Sequence, residues 1–254
     1  MCLINFHFQS HPKYKLIIAA NRDEFYKRPT APASFWKDEP NILAGRDLMQ
    51  MGTWFGVTRG GRFAALTNYR DPSLTENRKI SRGEIVRYYL AENTSPKSFL
   101  NCLQKEKKQY AGFNIIVGNA EQLYHYNNIL DEIQSISPGT HGLSNHTLDT
   151  PWPKVVKGKQ KLEEYVNQHK EINPDALFKI ISDSEKAPDD QLPDTGIGIE
   201  MERMLSPLFI QSPEYGTRSS TVLLIDQSNH VQFYERTFKN GEFLREKQFT
   251  FNMD

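Results

Sequence analysis

Cysteine is almost missing from this chain of 254 residues. Only Cys2 and Cys102 occur, too few for a disulfide framework and in keeping with a reducing compartment. A surplus of charge is missing too. The 31 basic side chains are matched by 31 acidic ones, so no global field draws the chain to nucleic acid or an anionic membrane surface. No apolar run approaches the roughly 20 residues that a bilayer span requires. The amino terminus lacks a basic region, and Asn5 and His7 interrupt its apolar stretch, so it does not read as a signal peptide. These absences give the expectation of a cytoplasmic protein with no integral membrane segment and no nucleic-acid partner. P-loop, GxGxxG, HExxH and paired CxxC motifs are absent as well. His141 and His146 are neighbours in sequence without a third ligand nearby, so no metal and no other cofactor is expected.

What the chain does have is an uneven distribution of charge. Residues 1–90 carry 14 Lys and Arg against 8 Asp and Glu, and the remainder carries 17 against 23. Nine arginines lie between Arg22 and Arg87. Arginine recognises carboxylate and phosphate through its planar fork, so a small anionic ligand is one reading. A solvated surface is the simpler one.

Periodicity divides the chain into elements. Residues 2–8 alternate as a strand does, and the continuous apolar run of YKLIIAAN at 14–21 predicts a strand buried on both faces. The two read as a hairpin. Residues 26–50, with Pro29, Pro32 and Pro40, read as loop. TWFGVTR and RFAALTN flank a Gly60-Gly61 turn. Helices are predicted after the capping-box pattern Ser81–Glu84, after Ser95-Pro96, over 154–168 as a mostly exposed helix, and after Asn173-Pro174. FNIIVG and QLYHY read as strands and HGLSN as a strand end. Residues 183–202 read as surface loop, and TRSSTVLLID, VQFYERTF and LREKQFTFN as closing strands. Antiparallel hairpins with helices grouped between them argue for an α+β fold, with two stacked sheets and helices outside. No repeat or linker divides residues 1–254, which are read as a single domain.

Cys102, with Phe99 and Leu103 at helical spacing, reads as a packing residue. Cys2 alone also reads most simply as packing at the head of a buried strand. Its position supplies a second reading. Removal of Met1 would place a thiol, of ordinary pKa about 8.5, and an α-amine, about 7.7–8.0, on one residue. Such an amine is a competent general base for its own thiol at neutral pH. The hairpin would bring Arg22, Asp23 and Glu24, at the end of the second strand, beside Cys2. A cation and a carboxylate there suit an amino-terminal nucleophile.

MCLINF, AANRDEFYKRPTAPASFW, AGRDLMQMGTWFGVTRGGRFAALTNYR, HGLSNHTLDTPWPK and EYGTRSSTVLLID resemble, block by block, the NRDE family, also called the transport and Golgi organisation protein 2 family. Asn21-Arg22-Asp23-Glu24 is its namesake tetrad. Met51 before Gly52 departs from the family's pattern in a loop. The family in turn is similar to N-terminal nucleophile hydrolases of the bile-salt hydrolase and penicillin V acylase type. That resemblance implies a four-layer αββα sandwich and a role for each matching residue: Cys2 as nucleophile, Arg22 and Arg218 near it, and Asn145 as oxyanion donor. Asn68, which ends the strand RFAALTN, is a further candidate for a pocket donor, with turn capping as the simpler reading. Those hydrolases place an aspartate three residues after the arginine, where this chain has Phe25, so Asp23 or Glu24 would take the acidic role. The implied activity is hydrolysis of an amide or thioester through an acyl-enzyme, with a small-molecule substrate. The alternative is a non-catalytic carrier of haem or another amphipathic anion such as acyl-coenzyme A.

Overall fold

The computed structural model describes residues 2–73 and 80–254. The opening stretch forms the hairpin its periodicity predicts. Strands β1 (Cys2–Phe8) and β2 (Tyr14–Phe25) pair antiparallel, with Cys2 opposite Arg22 and Phe8 opposite Leu16. The closing run supplies β11 (Tyr215–Asp226), β12 (His230–Lys239) and β13 (Glu242–Asn252). With β10 (Gly139–Leu143) these make a six-stranded antiparallel sheet in the order β10-β1-β2-β11-β12-β13. A second sheet has seven strands in chain order. They are β3 (Thr30–Phe35), β4 (Ile42–Asp47), β5 (Phe55–Thr58), β6 (Phe63–Asn68), β7 (Phe113–Gly118), β8 (Leu123–Asn127) and β9 (Glu132–Ser135).

The two sheets face each other across one core. Phe6, Phe8, Leu16 and Ile18 from the first pack with Phe55, Val57, Phe63 and Ile116 from the second. Each such side chain contributes roughly 1.5–3 kcal/mol by leaving water. Helices α1 (Arg82–Ala91) and α2 (Pro96–Glu106) cover the outside of the seven-stranded sheet through Ile85, Tyr89, Leu100 and Leu103. Helices α3 (Pro153–Gln168) and α4 (Pro174–Ile181) cover the other sheet through Leu162, Val166, Leu177 and Phe178. A short α5 (Ile199–Leu205) follows. The architecture is the expected α+β, four-layer αββα sandwich. Among the described residues, no helix is long and apolar enough to cross a membrane.

Several local readings are corrected. Residues 26–50 hold β3 and β4 rather than a loop. Pro32 is tolerated because β3 is an edge strand whose pairing with β4 shifts register between Ala31 and Ser34, where a missing N–H does no harm. The loop read over 183–202 ends inside α5. Helix α3 buries Lys154, Val155, Gly158, Leu162 and Val166, so it is not mostly exposed. Ser95 caps α2 by accepting the Ser98 N–H at 3.2 Å, but the Ser81 side chain makes no cap bond to α1. Cys102 is exposed, because the buried face of α2 runs through Leu100 and Leu103.

Candidate active site

One end of the six-stranded sheet gathers the start of β1, the end of β2 and the start of β11. Thr217 lies opposite Asp23 and Ser219 opposite Arg22, so Arg218 is an extra residue in β11, bulged between two paired ones. A bulge of this kind re-aims its side chain. The Arg218 guanidinium donates to the carbonyls of Phe25 at 2.8 Å, Tyr26 at 3.1 Å and Arg28 at 3.0 Å, clamping the chain that leaves β2.

A cavity of about 470 Å³ opens here between the sheets. Cys2, Arg22, Asp23, Glu24, Asn68 and Arg218 all lie on its wall. Asn145 does not reach the wall but stands directly behind it. Its side-chain amide donates to the Asn68 carbonyl at 3.0 Å, and the Ser144 hydroxyl lies 3.1 Å from both the Asn145 Oδ1 and the Cys2 carbonyl. The Thr67 hydroxyl donates to the Ser144 carbonyl. The end of β6 is thus stitched to the end of β10, which ties both sheets together at the cavity. Of the nine early arginines, Arg22, Arg28, Arg46 and Arg82 reach the wall. Arg59 stacks on Phe35 and Arg62 on Tyr89, Arg70 pairs with Glu202 and Arg87 stacks on Tyr88. Met1 and Arg78 lie outside the described residues.

The tetrad divides its labour. Asn21 is fully buried and structural: its amide donates to the carbonyls of Ile181 and Leu208, both at 2.8 Å, and its Oδ1 accepts from Ser220. Arg22 lies 4.0 Å from Glu24, which is also 3.8 Å from Arg28. Asp23 is buried and accepts the Thr217 hydroxyl at 2.7 Å, while the Tyr215 hydroxyl donates to its carbonyl at 3.0 Å. Of the two acids, Asp23 is the buried one, and its charge raises the Cys2 thiol.

Electrostatics at the site are dominated by loss of water. Cys2 is only 7% exposed. Burial pushes its thiol above the usual range and Asp23 adds to this, while Arg22 pulls it down. Burial also raises the Asp23 carboxyl, against the opposing pull of Lys154, Thr217 and Arg22. Burial and then the neighbouring Arg22 charge lower the Arg218 guanidinium.

Two buried charged residues at this end of the sheet escaped the sequence reading. Glu235, on β12, lines the cavity and is 4% exposed. It accepts the Ala33 N–H at 2.6 Å, and burial pushes its carboxyl up to about 7 against the pull of that N–H and of Arg22. The alternation Val231, Phe233, Glu235 carried the signal, since period two puts all three on the core-facing side. Lys154, in the first turn of α3, is 3% exposed. Its flanks Pro153 and Val155 were the only hint.

Residues 1–240 match the family model described as Transport and Golgi organisation 2. A Transport and Golgi organization protein 2 homolog from Bos taurus is 38% identical over 266 residues, covering 95% of each chain. A conjugated bile acid hydrolase from Clostridium perfringens superposes with a TM-score of 0.54 at 8% identity, over 100% of this chain and 98% of that one. An N-acylethanolamine-hydrolyzing acid amidase ortholog from Caenorhabditis elegans superposes with a TM-score of 0.50 at 9% identity, over 88% and 92%. At such identities the shared property is the hydrolase-like fold.

Proposed function

The chain belongs to the Transport and Golgi organisation 2 family, and we propose that it is a hydrolase whose nucleophile is the thiol of an amino-terminal Cys2. The observation that carries this reading is the placement of Cys2. It heads an interior strand, stands opposite Arg22 and lies on the wall of a cavity large enough for a small molecule. A thiol used only for packing has no need of an arginine and a buried carboxylate beside it.

In this reading Met1 is removed and the Cys2 α-amine is the base. The amine takes the thiol proton, directly or through one water, and the thiolate attacks a carbonyl carbon. Arg22 favours the thiolate, and Asp23 orients the ammonium formed. The Asn68 amide, on the cavity wall, supports the oxyanion, and Asn145 holds Asn68 in place. The protonated amine then delivers its proton to the leaving nitrogen or sulfur. Water releases the acyl group by the reverse sequence. The two solved neighbours, a conjugated bile acid hydrolase and an N-acylethanolamine-hydrolyzing amidase, support an N-acyl amide as substrate. A thioester fits the same chemistry. The arginines on the wall support an anionic group on the substrate.

The test is turnover of a panel of N-acyl amides and acyl thioesters by protein verified to begin at Cys2. Hydrolysis that disappears in both Cys2→Ser and Cys2→Ala is expected. Hydrolysis that survives Cys2→Ala overturns the reading. Tight binding of an acyl thioester with no turnover transfers it to the carrier class.

A further inference from the structure

Lys154 breaks three local rules at once. It occupies the second position of α3, after Pro153, where the positive end of the helix dipole disfavours a cation. It is buried, and its Nζ has no hydrogen-bond partner among the described residues. Its neighbours do not compensate. The Arg70 guanidinium repels it. That guanidinium stacks 4.8 Å from the Trp152 ring and is 2.5 Å from Glu202. Glu202 is committed to Arg70 and to the backbone N–H and hydroxyl of Thr195, at 3.0 and 2.5 Å. The anionic groups that act on the lysine are, in falling order, Asp23 on β2, Cys2 on β1 and Glu202, with the Tyr215 hydroxyl of β11 bonded to the Asp23 carbonyl. Its near neighbours in the chain place this end of α3 against β1: Trp152 and Val155 share a buried apolar cluster with Leu3, the residue after Cys2, and with Leu208. A cation at a helix start that is both desolvated and unpartnered is a sign of function at the expense of stability.

We infer that Lys154 is a positioning residue for Cys2, its buried ammonium at the start of α3 favouring the Cys2 thiolate and opposing a proton on the Cys2 α-amine. The effect on the amine rests on the reading in which Met1 is removed. The effect on the thiol does not. Burial and Arg70 bring the lysine down to about 8, with Asp23, Cys2 and Glu202 pulling the other way.

The experiment is alkylation of Cys2 by iodoacetamide across pH 5–10 in a Cys102→Ser background, which silences the exposed thiol, with intact mass recorded first. Lys154→Met keeps the volume and removes the charge. An opposite charge in a desolvated site favours the ionised thiol, by roughly 1 unit or more. The variant's rate profile is therefore expected to move to higher pH, with about a tenfold or greater loss of rate at pH 7. The melting temperature is expected to be unchanged or higher, because a buried unpaired charge has gone. An unshifted profile, or a lower melting temperature with an unshifted profile, overturns the inference and makes Lys154 structural. Lys154→Gln serves the same comparison should the methionine variant fail to fold. Because alkylation needs no substrate, a shifted profile in a protein without hydrolase activity rejects the proposed function and leaves the lysine's role standing.

Discussion

Replacing Glu235 by glutamine isolates a buried carboxyl whose effect on stability has a definite sign. The folded protein holds this group's proton up to about pH 7, whereas an ordinary glutamate releases it near 4.5. Between those values the unfolded chain has lost the proton and the folded chain keeps it. Folding then takes up a proton, so this residue's contribution to stability falls as pH rises from about 4.5 to 7. The gap corresponds to something on the order of 3 kcal/mol once the group is fully ionised. Glutamine keeps an oxygen to accept the Ala33 N–H, now at 2.6 Å, and has no charge to bury. Urea denaturation of both proteins at pH 5, 6, 7 and 8 reads the difference. The variant's advantage over the wild type should grow by roughly 2–3 kcal/mol between pH 5 and pH 8. Parallel profiles would refute the argument, because they would mean that Glu235 is solvated or ion-paired in the folded state.

Two substitutions test how the site is braced from behind. In Gly158→Ala the new Cβ would stand 2.5 Å from the Asn5 Oδ1 and 2.6 Å from its Nδ2, so the buried Asn5 amide or α3 itself must shift. A loss of about 1–3 kcal/mol is expected by chemical denaturation. A gain, as alanine's better helix propensity alone would give, contradicts the contact. Asn21→Ala leaves the carbonyls of Ile181 and Leu208 and the Ser220 hydroxyl without their partner. Each buried orphan costs roughly 1–3 kcal/mol, so a loss of about 3 kcal/mol or more should appear in the melting curve. A loss below about 1 kcal/mol would show that Asn21 is not the brace described.

The hairpin, the closing strands and the layer order were legible because buried strands announce themselves by alternation or by unbroken apolar runs, and turns by glycine. The pairing of Cys2 with Arg22 followed from that hairpin, which is why most of the candidate residues meet at one cavity. Strands β3 and β4 were hidden by Pro32, whose tolerance depends on an edge position and a register shift that only tertiary structure supplies. Cys102 misled because Phe99 and Leu103 suggested a face, while the helix buries Leu100 and Leu103. Lys154 and Glu235 were invisible for a common reason. Charged side chains are presumed solvated, and their burial is decided by neighbours more than 70 positions away in sequence, namely Asp23 and Arg70 for one and Ala33 and Arg22 for the other. Asn145 was placed by resemblance on the site itself, and the structure sets it behind Asn68.

In the proposed mechanism Cys2, freed of Met1, carries the acyl group. Mass spectrometry of the intact Cys102→Ser protein, quenched in acid seconds after mixing with an excess of an acyl thioester, tests it most directly. The expected product is a chain that begins at Cys2 and bears a single acyl group on its amino-terminal residue. That adduct should be absent from Cys2→Ala and should decay as free acid is released. A chain that begins at Cys2 and never gains acyl mass from any member of the panel, or one that keeps Met1 throughout, would contradict it.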